Sequence, residues 1–392
     1  MFSNGAFSNE VISRWSVRVG QGAPSSILAF KTKLMAYKKI GFDAGLMSLR
    51  GTHIAIFDYA INNQQILGND SIIFYDRRSE QAQPLVFQKF NQAFQLVPYD
   101  HFSEVGALVG RSSIDAMYLI KSGEQDGYSV EGVPNLIHAV FPQKIKEMHG
   151  DAYAYVSQWL SEECSNGKVP FVPHMINLPI ATGSLREYLG LPRGIKVFGC
   201  YGGSDSFNLD FAKQAIGRTV NQDAQIYFLF MGIDQFIDHP QTIFLPGNPD
   251  PTFKSQFINT CDAMIHARGI GESFGLACGE FSMHNKPVIT YALSPQRNHI
   301  DALGKKGIFY KGPKELEAIF LNFDPQWAQK QDWDCYSLEF SPSAVMKKFS
   351  SVFLDENALK QKEIDITPVD KALVQAKRFR KKLRSLSRRL YI

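Results

Sequence analysis

The sequence predicts an α/β protein built from two successive doubly wound, Rossmann-like sheets, and three observations carry that prediction. Between Lys38 and Phe323, short apolar runs alternate with amphipathic stretches of helical length, the pattern of repeated strand–helix units. Glycine-bearing loops follow several of the apolar runs, as in LMSLRG after KKIGFDAG and the glycine pair after GIKVFGCY, at the sheet edge where open α/β sheets receive ligands. A chain of 392 residues is also longer than one hydrophobic core normally organises. The boundaries read as an N-terminal extension over 1–37, a first sheet domain over 38–178, a second over 179–345, and C-terminal helices with a basic tail over 346–392.

In the first domain, KKIGFDAG reads as a strand and THIAIFDYAINNQQILGN as the helix after its loop. Thr52 is placed to cap that helix, Ile54, Phe57 and Ile61 share one face, and Gly68 ends it. SIIFYD is the next strand, which completes half of a doubly wound unit and sets Arg50, Gly51 and Thr52 at the carboxyl edge of the first strand. A helix over PLVFQKFNQAF, strands at FQLVPYD, AMYLIKSG, NLIHAVF and AYAYVS, and a helix at SQWLSEEC follow, with Lys121 and His138 at strand ends. The three prolines of VPFVPHMINLP mark an extended connection.

The second domain opens with SLREYLG as a capped helix and GIKVFGCY as a buried strand, ending at Gly202 and Gly203. Strands IYFLFMG and TIFLPG and a helix at FKSQFINT lead to its centre, CDAMIHARGIGESFGLACGEFSMHNKPVITY. This stretch reads as a strand from Ala263 to His266, a loop carrying Gly269 and Gly271, a helix opening near Ser273 or Phe274, and a strand from Pro287 to Tyr291. A helix at NHIDAL and a strand at GIFY close the domain.

Glu272 and Glu280 bracket that helix start. Eight positions on a helix span about 12 Å at most, and the free N–H groups of Phe274, Gly275 and Leu276 lie between the two carboxylates. A diphosphate fits on such N–H groups, and ionised carboxylates, which only accept hydrogen bonds, read hydroxyls on either side of it. That suits a sugar–diphosphate–nucleoside. The plainer reading is a surface helix carrying two unrelated acids; the flanking strands argue for the site.

The pattern of a glutamate, seven residues and a second glutamate, with Phe274-Gly275-Leu276 shortly after the first, resembles the donor-site motif of family-4 retaining glycosyltransferases of the GT-B fold. The resemblance implies two Rossmann-like domains facing across a cleft and transfer of a sugar, with retention, from a nucleotide diphosphate sugar to a hydroxyl of a glycan or lipid-linked glycan. It implies that Glu272 contacts the donor sugar, that the amides of Phe274, Gly275 and Leu276 hold the diphosphate, and that Glu280 binds the ribose. By the same likeness Gly202 and Gly203 approach the diphosphate, the loop Arg50-Gly51-Thr52 faces the cleft beside Lys121, and His138 lines the acceptor side, with His149 a weaker candidate. Arg297 and Asn298, in the loop after PVITY, lie within reach of the donor.

One departure from the family stands out. Many members carry an arginine and a lysine shortly after the strand that ends in the glycine pair, whereas here the segment is SDSFNLDFAKQ, with Lys213 too far into its helix. Arg268 is the expected substitute, stabilising the leaving diphosphate. The resemblance calls for no cofactor beyond the nucleotide sugar and no metal, since no Asp-x-Asp cluster accompanies the motif.

Composition, at 44% hydrophobic and 20% charged, is that of a globular protein. No apolar run reaches the length of a membrane span and MFSNGAFSNEVISRW lacks a signal-peptide pattern, so a cytoplasmic location is expected. Five scattered cysteines without a CxxC pair speak against zinc and disulfides. Nine lysines and arginines and no acid lie between Lys371 and Ile392, so the net charge of +4 divides into +9 on the tail and −5 on the first 370 residues. With Phe379, Leu383, Leu386 and Leu390 at helical spacing, residues 371–392 read either as an amphipathic helix on an anionic membrane surface, making the protein peripheral, or as a helix solvated or packed on the body. Nucleic acid is not an expected partner, because the body has no matching basic face.

The alternatives differ in what they require. An epimerase needs further acid–base residues in the cleft, a phosphorylase a lysine for pyridoxal phosphate, and a dehydrogenase a G-x-G-x-x-G that opens no helix here. A non-catalytic glycan-binding or scaffold protein of the same fold needs neither an intact donor site nor turnover.

Overall fold

The computed structural model describes residues 38–355 and 366–389; the expected N-terminal extension over 1–37 and Leu390 of the tail lie outside them. The first sheet contains β1 (Lys39–Gly45), β2 (Asp70–Asp76), β3 (Gln95–Tyr99), β4 (Ala116–Lys121), β5 (Asn135–Ala139) and β6 (Ala152–Tyr155). Its order is β3-β2-β1-β4-β5-β6 with every pairing parallel. The second contains β7 (Lys196–Tyr201), β8 (Ile226–Met231), β9 (Thr242–Leu245), β10 (Ala263–His266), β12 (Val288–Tyr291) and β14 (Ile308–Tyr310), in the order β14-β12-β10-β7-β8-β9, again all parallel. The short pair β11 (Gly271–Glu272) and β13 (Gln296–Arg297) forms a separate two-stranded ribbon. In each sheet the strand order reverses beside the first strand, between β1 and β4 and between β7 and β10, the place where such sheets bind ligands.

The inner strands are Val-, Ile-, Phe- and Tyr-rich and buried on both faces, as parallel strands covered by helices must be, while the edge strands β3, β9 and β14 are only partly buried. Helices Gly51–Gln65, Pro84–Ala93, Asp210–Gln222, Pro251–Thr260 and Leu276–Met283 supply part of that cover. Two local expectations change. Thr52 does not cap the first helix: Arg50 occupies the cap position with extended backbone and no side-chain cap bond, and Thr52 is already helical. SLREYLG is a run of turns rather than a helix, because tertiary bonds hold it there. Leu185 N–H donates to Thr260 Oγ1 at 2.7 Å, and Arg186 reaches Thr260 O and Asp262.

The C-terminal segment returns to the first domain. Helix Pro342–Phe349 and its continuation through Leu354 bury Val345, Met346, Phe349 and Phe353 in one cluster with Ile40, Tyr59 and Tyr118. The Phe349 ring stacks on Tyr59 at 5.2 Å. The basic helix Pro368–Arg389 begins by docking on helix Gln158–Ser165: Val374 is buried, Lys377 Nζ donates to Glu162 O at 3.0 Å and to Asn166 Oδ1 at 3.1 Å, and Asn166 donates to Asp370. Among the described residues no helix is long and apolar enough to cross a membrane.

Candidate functional site

A cleft of ≈ 360 Å³ is lined by loops at the carboxyl ends of β1, β5, β7 and β10, so both topological switch points face it. Its floor is the start of helix Leu276–Met283. Gly275 precedes that helix with φ +97°, a left-handed conformation that glycine takes without strain. A Cβ there would lie 2.9 Å from His299 Cβ. Asn298 Nδ2 donates to Phe274 O at 2.9 Å and pins the turn from behind. The start of the first-domain helix Gly51–Gln65 meets it across the cleft: a Cβ on Gly51 would approach Leu276 Cδ1 to 3.1 Å. Two helix N-termini, each with unsatisfied N–H groups and a positive dipole end, thus converge on one space.

The two glutamates flank this floor. Glu272 accepts from His266 Nε2 at 3.2 Å and Arg268 Nη1 at 3.0 Å. Burial by itself would raise the Glu272 pKa, but the bonds and charges of His266 and Arg268 outweigh it and hold the carboxyl below its ordinary range. The His266 ring is oriented by Thr290 Oγ1 at 2.8 Å from its Nδ1. Glu280, nearly fully buried, accepts from the Tyr201 hydroxyl in a short contact and from Lys254 Nζ at 3.4 Å. Burial, reinforced by the Glu280 charge, keeps Tyr201 protonated well above its usual pKa. Lys254 also stands 5.3 Å from the centre of the Tyr201 ring.

Of the expected residues, Glu272, Arg268, Phe274, Gly275, Leu276, Glu280, Gly202, Gly203, Arg50, Gly51 and Thr52 all line this cleft. Four do not. His138 is fully buried beneath it, bonded to the Tyr118 hydroxyl through Nδ1 and to Val172 O at 2.8 Å through Nε2, and burial pushes its pKa down to about 4. Lys121 turns away into an ion pair with Asp126 and bonds to Tyr128 O and His149, so His149 too is engaged there. Arg297 donates to Ala292 O at 3.1 Å and lies 3.7 Å from Asp301, while Asn298 supports the loop without lining the cleft.

Sequence reading missed Asp58, Lys89, His174, Tyr201, Lys254 and His266, which also line the cleft. Burial raises the Asp58 carboxyl to about 7, with Lys89 working against the rise and Glu280 adding to it. His174 is buried with Nδ1 lacking a hydrogen-bond partner among the described residues, and burial and the neighbouring His138 hold it neutral. The signals were present: Asp58 falls in phase with Ile54 and Ile61, and Lys254 with Phe257 and Ile258, each a charge on an otherwise apolar helix face.

No protein-family model matches this sequence, and no curated protein matches it. Solved structures do share the architecture, which makes this a GT-B fold of two facing Rossmann-like domains. HepE of Anabaena, solved in complex with UDP-glucose, superposes with a TM-score of 0.57 at 13% identity, over 83% of this chain and 98% of that one. A glycosyltransferase from Rickettsia africae gives 0.54 at 12% identity, over 84% and 98%. MnaA of S. aureus, solved with UDP, gives 0.54 at 11% identity, over 83% and 99%.

Proposed function

We propose that the protein is a glycosyltransferase, transferring a hexosyl group from a nucleotide diphosphate sugar to a hydroxyl acceptor, with retention at the anomeric carbon as the family-4-like motif implies. One observation carries the reading: Glu272 and Glu280 stand on either side of a helix N-terminus, inside a cleft that two nucleotide-type sheets share. The diphosphate lies on the N–H groups at Gly275 and Leu276 beside Gly202 and Gly203, and the facing dipole of the Gly51 helix adds positive potential. Arg268 supplies the charge missing after β7. Glu280, presented by Tyr201 and Lys254, takes the ribose hydroxyls, and Glu272, held ionised by His266 and Arg268, takes the donor sugar. The structure of HepE with UDP-glucose makes uridine the first base to test.

In the transfer, the acceptor hydroxyl oxygen bonds to the anomeric carbon as the bond from that carbon to the diphosphate breaks. The hydroxyl proton leaves on the diphosphate. Developing negative charge on the leaving group is met by groups already oriented toward it, the helix N–H groups and the Arg268 guanidinium. These groups suffice in this reading without a metal or other cofactor, so chelation by EDTA is expected to leave the rate unchanged. The acceptor is a glycan, as in polysaccharide assembly, or a lipid-linked glycan, for which the basic helix provides contact with an anionic membrane surface.

The test is thermal unfolding of the full chain with UDP, GDP and ADP, repeated on Glu280→Ala. A ligand at a hundredfold above its Kd adds about 2.7 kcal/mol. Stabilisation by one nucleotide that the variant loses supports the site; stabilisation by none overturns it. A second reading, epimerisation of the nucleotide sugar itself, is favoured by the acid–base groups Asp58 and His174 in the same cleft. Incubating UDP-glucose alone with the protein in D2O separates the two: deuterium at a sugar carbon marks epimerisation, and its absence with turnover only on added acceptor marks transfer.

A further inference from the structure

Helix Pro368–Arg389 is tied to the protein by one side. Its first turn carries a reciprocal cap: Asp370 accepts from the Thr367 N–H at 3.1 Å and from its hydroxyl at 2.7 Å, and the Asp370 N–H donates back to that hydroxyl at 3.2 Å. The same carboxylate accepts from Asn166 at 3.1 Å and lies 3.9 Å from Lys168 Nζ. With Val374 buried, and Lys377 on Glu162 and Asn166, three positions fix the start of the helix against helix Gln158–Ser165 of the first domain.

The opposite side is exposed and apolar. At about 100° of turn per residue, Val369 and Phe379 stand across the helix from Val374, with Leu373 at the edge between the two sides. Val369, Phe379 and Leu373 are 66%, 63% and 45% exposed, and Ala376 between them is exposed as well. Exposed apolar residues that follow one line of a helix mark a contact surface. Counted in the same way, the sequence continues that line with Leu383 and Leu386 and sets cationic positions along both of its borders, Lys371 and Lys382 on one, Arg380 and Arg384 on the other. Nine lysines and arginines and no acid lie from Lys371 onward. Together these features select the partner. A second copy of the helix would bring nine more cations against the first nine. A nucleic acid would leave the apolar line in water. An anionic bilayer takes both, its headgroups facing the cations and its acyl boundary the apolar line.

We infer that helix Pro368–Arg389 is a two-sided adaptor. The side of Asp370, Val374 and Lys377 stays fixed on the first domain, while the side of Val369, Leu373 and Phe379 enters the headgroup boundary of an anionic membrane. Packing on the body and lying on a membrane are then the work of different faces of one helix, and the protein meets the bilayer in one orientation, through its first domain. The inference deepens the membrane contact named in the proposed function, from charge attraction of a tail to apolar insertion of a docked helix, and it does not depend on the transferase reading.

The test uses the full chain and sedimentation with vesicles of phosphatidylcholine, alone or with an equal part of phosphatidylserine. Binding is expected to be at least tenfold tighter with phosphatidylserine present. The double variant Val369→Gln with Phe379→Gln keeps the charge and uses a good helix former at two exposed positions. It should weaken vesicle binding at least fivefold while the Tm, and any rise in Tm with UDP, stay as in the parent. Equal binding to both kinds of vesicle, binding to neither, or binding that the double variant retains in full overturns the inference. Amide hydrogen exchange over 158–165 and 368–377 should be no faster on vesicles than in solution, with Val374→Ser as the control that speeds it in both segments. Faster exchange on vesicles shows the helix leaving the body and overturns the docked adaptor. Concentration-dependent dimers in sedimentation velocity that the double variant abolishes, without vesicle binding, give the stripe to a second copy and overturn the inference too. If UDP fails to stabilise the protein while vesicle binding still depends on Phe379 and Val369, the transferase reading falls and the membrane face stands.

Discussion

His138 shows why a position on a strand is a weak guide to a side chain's task. Its ring faces Tyr59 and Phe353, the second of which arrives from more than two hundred residues along the chain, and its two nitrogens are spent on Tyr118 and Val172. His138→Ala would orphan the buried Tyr118 hydroxyl and leave a cavity. A loss of about 2–4 kcal/mol in urea unfolding is expected, with nucleotide-induced stabilisation of the folded fraction unchanged. Asp58 makes the opposite case, a cleft carboxyl whose folded pKa, about 7, lies above its unfolded value. A raised acid pKa contributes stability that is full below about pH 4 and lost as pH rises through about 7. Asp58→Asn should therefore be more stable than the parent by roughly 2–4 kcal/mol at pH 8 and no better near pH 4, measured by chemical denaturation across that range. The pairing of Glu272 with Glu280 was legible because it is local: eight positions and one helix start define it. Lys254 and Asp58 were not, because their importance depends on which helix face meets the other domain.

The loop between β10 and the helix at Leu276 is the element on which the site depends. It is short, and two of its glycines are there for want of space. A Cβ on Gly271, whose φ is +77°, would fall 2.1 Å from Gln296 O and break the ribbon that β11 makes with β13. At Gly275 the left-handed backbone sets the direction of the helix N-terminus. Gly275→Ala is expected to cost about 1–3 kcal/mol of stability and to weaken nucleotide binding at least tenfold in isothermal titration, more than its stability cost alone would suggest. A Gly275→Ala protein that binds nucleotide as tightly as the parent would remove the helix N-terminus from the proposed donor site. The helix itself was readable from sequence, but its start was read at Ser273 or Phe274 and lies at Leu276, since only three-dimensional contacts with His299 and Asn298 decide where the turn closes.

At the scale of the whole molecule, the order of strands and helices could be read from the sequence, while the return of the chain could not. The last described segments of the body belong to the first domain's core although they follow the second in sequence. Ending the chain after Ser341 removes Val345, Met346, Phe349 and Phe353 from that core, and such a protein is expected to be insoluble or to lose its cooperative transition in circular dichroism. Ending it after Asp355 removes the basic helix and keeps the core. That protein should fold and bind nucleotide, and should lose sedimentation with phosphatidylserine vesicles at low salt if the tail is the membrane contact.

The return has a mechanical consequence. The chain passes between the domains twice, once through the extended segment at Val172–Leu178 and once near Phe340, and Ile176 N–H donates to Phe340 O at 2.8 Å where the two passages meet. Two stitched passages behave like the paired leaves of a door hinge: they leave rocking about one line free and resist twist about the perpendicular. The two walls of the cleft are thereby held in a single register, so any ligand spanning both meets the same opposed surfaces.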